Sequence, residues 1–468
     1  MSALIVQTFR ARWRAWLPAI GVVTLVSALV GVSVLHYWAS TTPQMATAVA
    51  DAGTTLSEVR IAGQTVYVLT ALFGAIALNV VGAATVEAER TLMAQWRLAG
   101  ALPRHTAAMA VGLVALTAVA GSIPGVVLAA VVGPPLIGLI NSMAGPGLEA
   151  VPVSMHLLPA GITIVLTVLT CLLGALAPAR RAGRVPAIEA LRTTARPRAR
   201  LTKWRIALTA LGVITTVVIV VAAISAPATS SSPVTIAFYL GLCLILTLHA
   251  AAPALVPAIM RVWSLLLTVV HWPAPQIARR SAVSRSQISS ATIAPLAAGL
   301  GFVGVLIGTM NTFQAQVRTV GVTEINVVDS WIIAIIATVM LIGCSVAVVA
   351  LTSRHREREF ALLRTAGATP TTLGRIVLLE ALLYVATALL LAAVTTLATI
   401  LTLAWLGARA GLPFVPQFPG LTLAVFAVGA YLATAAAIAL PARKAIKANL
   451  RASLCQAPSF VEGFLSGN

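Results

Sequence analysis

The sequence predicts an all-α polytopic membrane protein, with ten transmembrane helices arranged as two parallel four-helix repeats joined by a two-helix linker. Three observations lead there. Of 468 residues, 59% are hydrophobic and 9% are charged, with a mean hydropathy of +0.99, whereas a soluble domain carries about 25% charged residues. Apolar runs of spanning length, about 20 residues, recur along the whole chain. Finally, a charged helix-turn occurs twice, 267 residues apart: Trp96-Arg97-Leu98-Ala99-Gly100-Ala101-Leu102-Pro103 aligns with Leu363-Arg364-Thr365-Ala366-Gly367-Ala368-Thr369-Pro370.

Taken in order, residues 2–15 read as an interfacial helix. Ile5, Phe9, Trp13 and Trp16 recur at helical spacing, and Arg10, Arg12 and Arg14 supply cations for headgroups. The run from Trp16 to Trp38 is long enough to span and has no small-residue cleavage site, so it is read as a membrane helix and not a signal peptide. Spans are expected at 17–38, 63–86, 108–136, 157–178, 205–225, 234–258, 288–310, 331–352, 376–405 and 420–440. Trp16, Trp38, Trp263, Trp272, Trp331 and Trp405 fall at or near span ends, where interfacial aromatics belong. The outer loops, 41–64, 145–152, 311–330 and 407–419, are each too short to fold as a domain alone.

A net charge of +19 raises the question of nucleic acid, but the placement of charge answers it. Only Arg60, Arg318 and Arg409 of the 31 basic residues fall on the outer side. That is the positive-inside pattern, with both termini cytoplasmic and the cations facing anionic membrane lipid. No nucleic-acid partner is expected. Cys171, Cys243, Cys344 and Cys455 have neither metal-ligand nor disulfide spacing and read as small core residues, so no metal site is expected. The three lysines, Lys203, Lys444 and Lys447, do not follow a glycine, so the chain has no G-K-[ST] phosphate loop and is not its own ATPase.

The repeat divides the chain into residues 1–200, a linker at 201–275 and residues 276–468. Each unit opens on a basic elbow, with Arg10, Arg12 and Arg14 in one and Arg279, Arg280 and Arg285 in the other. Each closes its fourth span on Pro-Ala followed by basic residues, at Pro178-Ala179-Arg180-Arg181-Ala182 and Pro441-Ala442-Arg443-Lys444-Ala445. Two linker spans return the chain to its starting side, so the units are parallel and related by an axis along the membrane normal.

The charged turns are longer than the two to eight residues that a connection between helices needs. Glu87, Glu89 and Arg90 precede one, and Glu357, Arg358 and Glu359, flanked by Arg354 and Arg356, precede the other. Phe360, Leu362 and Leu363 give the second an amphipathic character, which suits a short cytoplasmic helix docking in a partner's groove. The pattern E-R-E-x-x-L-L-R-x-x-G-A over Glu357 to Ala368, followed two spans later by P-A-x-x-A, resembles the FtsX/MacB-type permease of ABC transporters, and the resemblance covers both repeats. In the first repeat Thr91 and Leu92 stand where Arg358 and Glu359 stand in the second, so the two coupling surfaces are expected to be unequal. The stretch Pro186 to Arg192 fits the family's P-x-x-A-L-R ending, whereas Asn449 takes the proline's place in the second copy. The ten-span duplicated layout is similar to the bacitracin-exporter-like permeases, without their large extracellular domain.

What the resemblance implies is specific. The turns would contact a nucleotide-binding subunit through Arg97, Gly100, Ala101 and Pro103 in the first repeat, and through Glu357, Arg358, Glu359, Arg364, Gly367, Ala368 and Pro370 in the second. Two copies of a separate ABC ATPase would bind, with ATP and Mg on that partner and no cofactor in this chain. The setting would be a bacterial cytoplasmic membrane, and the function force-driven export of an amphiphile such as an antibiotic, peptide or lipid. Two other classes stay open: a signalling or scaffold permease, and an ion-coupled carrier. The carrier would need Glu380, the one acid placed within a span, five residues after Arg375, where the plainer reading is an interfacial contact between the two. His249 in the linker reads as a packed histidine. Gly304 and Gly308 form G-x-x-x-G, a close-packing signal, read here as a central interface between the seventh and first spans.

Overall fold

The computed structural model describes residues 2–11, 13–142, 145, 147–182, 203–225, 233–269, 273–284, 286–321, 328–352, 363–365 and 367–447. Among these residues the chain is helical, without strands, and ten helices are long and apolar enough to cross a membrane. The chain is therefore an all-α, multi-pass membrane protein. Helix is the form its apolar runs must take, because lipid satisfies no backbone N–H or C=O group.

A short helix α1 (Ser2–Ala11) precedes the first span α2 (Trp13–Ala39); α3 (Pro43–Asp51), α4 (Leu56–Ala88), α5 (Arg90–Leu98), α6 (Pro103–Ser142) and α7 (Leu157–Ala182) follow. The linker is the hairpin α8 (Lys203–Ser225) and α9 (Pro233–Trp263), continued by a 3-10 turn, Ser264–Val269. The second half repeats the order with α10 (Pro273–Ser284), α11 (Ser286–Arg318), α12 (Val328–Thr352), α13 (Pro370–Arg409) and α14 (Gly420–Lys447). At 40 residues each, α6 and α13 are about 60 Å long and extend well past a hydrocarbon core of about 30 Å.

The packing partners recur as well. In the first half α2 packs on α4, α6 and α7, and α6 on α7; in the second, α11 packs on α12, α13 and α14, and α13 on α14. The linker hairpin sits on the second half through α9, which contacts α11 and α13. At its far end Arg409 Nη1 donates to the carbonyls of Ala223 and Ile224, each at 2.9 Å, tying α8 to α13.

The halves meet along α4 and α12. Cys344 Sγ lies 3.6 Å from the carbonyl of Ala77, and the two residues are separated by the same 267 positions that relate the turns. Equivalent residues touch each other only where a two-fold axis passes between them, so the axis relating these helices runs at Ala77 and Cys344. Around it one apolar core draws on both halves, from Phe73, Ala77 and Val81 to Phe302, Leu341 and Cys344.

One expectation is corrected at the opposite end. Residues 41–64 are not a bare loop. They hold α3 and the first two turns of α4. Thr42 caps α3 by accepting from the Met45 N–H at 3.4 Å, and Pro43 takes the first helical position, where its missing N–H costs nothing. Met45, Val49 and Val59 then close around Leu148 of the second outer loop as a small buried cluster. Close by, His36 Nε2 lies 2.9 Å from Asn141 Oδ1, and His36 Nδ1 meets the Tyr67 hydroxyl, joining α2, α4 and α6.

Candidate functional site

The two charged turns fold as one motif. In the first, α5 buries Leu92, Met93 and Ala94 and packs on α4 and α6, then stops at Gly100, whose φ is +90°. The Ala101 N–H reaches back to the Trp96 carbonyl at 2.9 Å and the Gly100 N–H to the Arg97 carbonyl at 3.1 Å. This pair of bonds is a Schellman motif, which closes a helix through a left-handed residue that glycine adopts without strain. In the second turn Gly367 has φ +92°, the Ala368 N–H bonds the Leu363 carbonyl at 2.9 Å and the Gly367 N–H bonds the Arg364 carbonyl at 3.0 Å. Three residues past each glycine a proline, Pro103 or Pro370, opens a 40-residue span.

The structure thus brings Arg97, Gly100, Ala101 and Pro103 into one turn, and Arg364, Gly367, Ala368 and Pro370 into its counterpart. Both glycines and both prolines are exposed, while Arg97, Ala101, Arg364 and Ala368 are half-buried. Glu357, Arg358 and Glu359 lie outside the described residues, as does the Pro186 to Arg192 motif.

Sequence reasoning missed the apolar part of the surface. Leu98 is 52% exposed and Leu102 47% exposed, flanking Gly100 on the outside of the first turn. Their counterparts are Thr365 and Thr369, which are also exposed. The in-register alignment carried this signal, because two leucines stand there opposite two threonines. Thr369 also caps α13, its side chain accepting from the Thr372 N–H at 3.3 Å. Leu102 cannot do this for α6. The turns therefore share a backbone and differ in the chemistry they present.

Gly304 and Gly308 do not face the first span. A Cβ at Gly304 would run into the side chain of Thr396, and one at Gly308 would come within 2.9 Å of Ile400, both on α13 of the same half. The matching contact in the first half is Gly31, where a Cβ would lie 2.7 Å from that of Ala129 on α6. Ala129 and Thr396 are again 267 positions apart. These glycines let the first and third spans of each half approach closely, and the interface between halves lies elsewhere, at α4 and α12.

Glu380 is 2% exposed and accepts a hydrogen bond from the Tyr384 hydroxyl at 2.7 Å. Arg375 is exposed on another side of α13, since five residues are roughly 140° around a helix. No cluster of three His, Cys, Asp or Glu side chains is found among the described residues.

The FtsX-like permease C-terminal family model matches the chain twice, over residues 64–187 and residues 353–450. Each match contains one of the two turns and the two spans that follow it. No curated protein matches the chain.

Proposed function

We propose that this chain, which matches the FtsX-like permease C-terminal model in both halves, is a membrane component of an ABC-type transporter that works with an ABC ATPase, and that it serves as both half-permeases. In this reading residues 1–200 and 276–468 are the half-permeases and 201–275 the linker. The basic face is cytoplasmic, both termini lie there, and α1 rests on anionic lipid of a bacterial cytoplasmic membrane through cations such as Arg10. One ATPase docks at each turn, two copies in all, and ATP and Mg are held by that partner.

The observation that carries the reading is the repetition of the turn. Two Schellman turns with the same hydrogen bonds, each rigidly continued into a 40-residue span, are suited to converting the motion of a paired motor into the motion of paired helices. Arg97, Gly100, Ala101 and Pro103 form one coupling surface with Leu98 and Leu102 added. Arg364, Gly367, Ala368 and Pro370 form the other, joined by Glu357, Arg358 and Glu359. Closure of the ATPase dimer pulls on α5 and on the helical turn before Gly367, and the spans rock. The apolar seam between halves favours force transmission to an amphiphile moved outward over passage through a wide polar pore.

The test is co-purification of the tagged chain with the ABC ATPase encoded beside it. One permease to two ATPases is the expected ratio, and Arg364→Glu or Gly367→Pro weakens the complex. An ATPase retained equally by both variants would remove the coupling role from this turn.

A further inference from the structure

Glu380 belongs to a buried polar stripe of α13 that the equivalent positions of α6 do not repeat. Glu380, Tyr384 and Thr387 follow one another at i, i+4 and i+7 and therefore share a face of α13. All three are buried. The Tyr384 hydroxyl donates to Glu380 Oε1 at 2.7 Å. Ser289 Oγ, in the first turn of α11, shares its one hydrogen between the carbonyl of Ala282, near the end of α10, at 2.8 Å and the oxygen of that same Tyr384 hydroxyl at 3.4 Å. One turn along, Thr387 Oγ1 accepts from the Trp263 indole N–H at 2.9 Å, and Ser264, beside Trp263, accepts from Arg279 Nε of α10 at 3.0 Å. The elbow helix α10 presses an alanine stripe, Ala274, Ala278 and Ala282, into this site.

At the equivalent positions of α6 the stripe is not repeated. The residues 267 positions before Glu380, Tyr384 and Thr387 are Leu113, Thr117 and Ala120. Thr117 Oγ1 spends its hydrogen bond on its own helix, at the Leu113 carbonyl. The elbow α1 meets α6 where Ile5 fills the space over Gly112.

We propose that Glu380 is a positioning residue: as a hydrogen-bond acceptor it orients Tyr384, and through Tyr384 and Ser289 it latches the elbow α10 onto α13, beside the end of the linker that Thr387 holds through Trp263. The third span and elbow of the second half then move as one body. The latch rests on helix contacts alone. Its consequence, that displacement of the Gly367 turn is carried into α9 and the linker, rests on the coupling role proposed for that turn.

The purified full-length chain in lipid nanodiscs tests the latch without any ATPase, so its failure is separate from failure of the coupling reading. Hydrogen–deuterium exchange is followed for the amides of α10 and of α1. A 12-residue helix owes its order to docking, so Tyr384→Phe and Glu380→Leu raise α10 exchange by about tenfold, as loss of a buried hydrogen bond predicts. In both variants α1 exchange stays constant. Glu380→Gln keeps the carbonyl acceptor and behaves as the parent. Tyr384→Phe removes one oxygen and keeps the test alive if Glu380→Leu does not fold. Unchanged α10 exchange in Tyr384→Phe would overturn the proposal. So would Glu380→Gln opening α10 as far as Glu380→Leu, since the carboxylate's charge and not its acceptor would then matter, as an ion-coupled carrier requires.

Discussion

A missing Cβ does different work at different places in this molecule, and the neighbours decide how much. At Gly125 of α6 a Cβ would stand 2.5 Å from that of Ser27 and 2.7 Å from the Thr24 carbonyl oxygen. The spans are held there by Thr24 Oγ1 donating to the Gly121 carbonyl at 3.1 Å and Ser27 Oγ to the Ser122 carbonyl at 3.3 Å. No rotamer change relieves a clash with backbone, so Gly125→Ala must push α2 and α6 apart, at about 1–3 kcal/mol. At Gly304 the obstacle is the side chain of Thr396, whose hydroxyl has no hydrogen-bond partner to lose. Gly304→Ala should therefore cost under about 1 kcal/mol, because Thr396 can turn away. Thermal unfolding of the purified chain in detergent ranks the two. Equal losses, or the reverse order, would mean that α6 yields more easily than its contacts indicate.

At the scale of the helix, the first turn presents the more apolar face of the two proposed docking surfaces. Giving it the second turn's face, with Leu98→Thr and Leu102→Thr together, should weaken ATPase binding by about tenfold or more, since each buried leucine is worth about 1.5–3 kcal/mol. Thr365→Ala should leave binding nearly unchanged, and matching losses at both turns would show that the surfaces are equivalent. The same scale shows what the sequence could reveal. All ten spans were legible, because twenty apolar residues have no other stable home in a membrane protein. The turns were legible as a repeat, since glycine and proline at fixed offsets imply one backbone. Hydropathy marks the membrane and not the helix, so it could not show α6 and α13 running on past their apolar windows. Nor could it reveal α3, whose burial at Met45 and Val49 depends on Leu148, about a hundred residues away. The spacing of Gly304 and Gly308 announced close packing without saying against which helix. The sequence places Glu380 near Arg375, whereas Tyr384 at i+4 shares its face and donates to it.

Across the whole molecule the two halves are pressed together with apolar groups and little to lock them. Phe73 packs edge-on against Phe302 with ring centroids 4.8 Å apart. On the other side of the axis the equivalent residues are Met340, 267 positions from Phe73, and Leu29, which precedes Phe302 by the offset that relates Gly31 to Gly304. These side chains border a cavity of about 20 Å³ between α2, α4 and α12 that Phe73 lines as well. The seam is thus apolar and carries a small void, an arrangement that suits pivoting about the contact of Ala77 and Cys344. A tether at a pivot restrains rotation least, and one away from it restrains rotation most. In a complex reconstituted with its ATPase, Ala77→Cys joined to Cys344 by a short membrane-permeant thiol cross-linker should keep most of its ATP turnover. Leu29→Cys joined to Met340→Cys, in a background with Cys344→Ala, should lose it. If the link at Ala77 and Cys344 stops turnover as completely as the other, the halves separate during the cycle and do not rock.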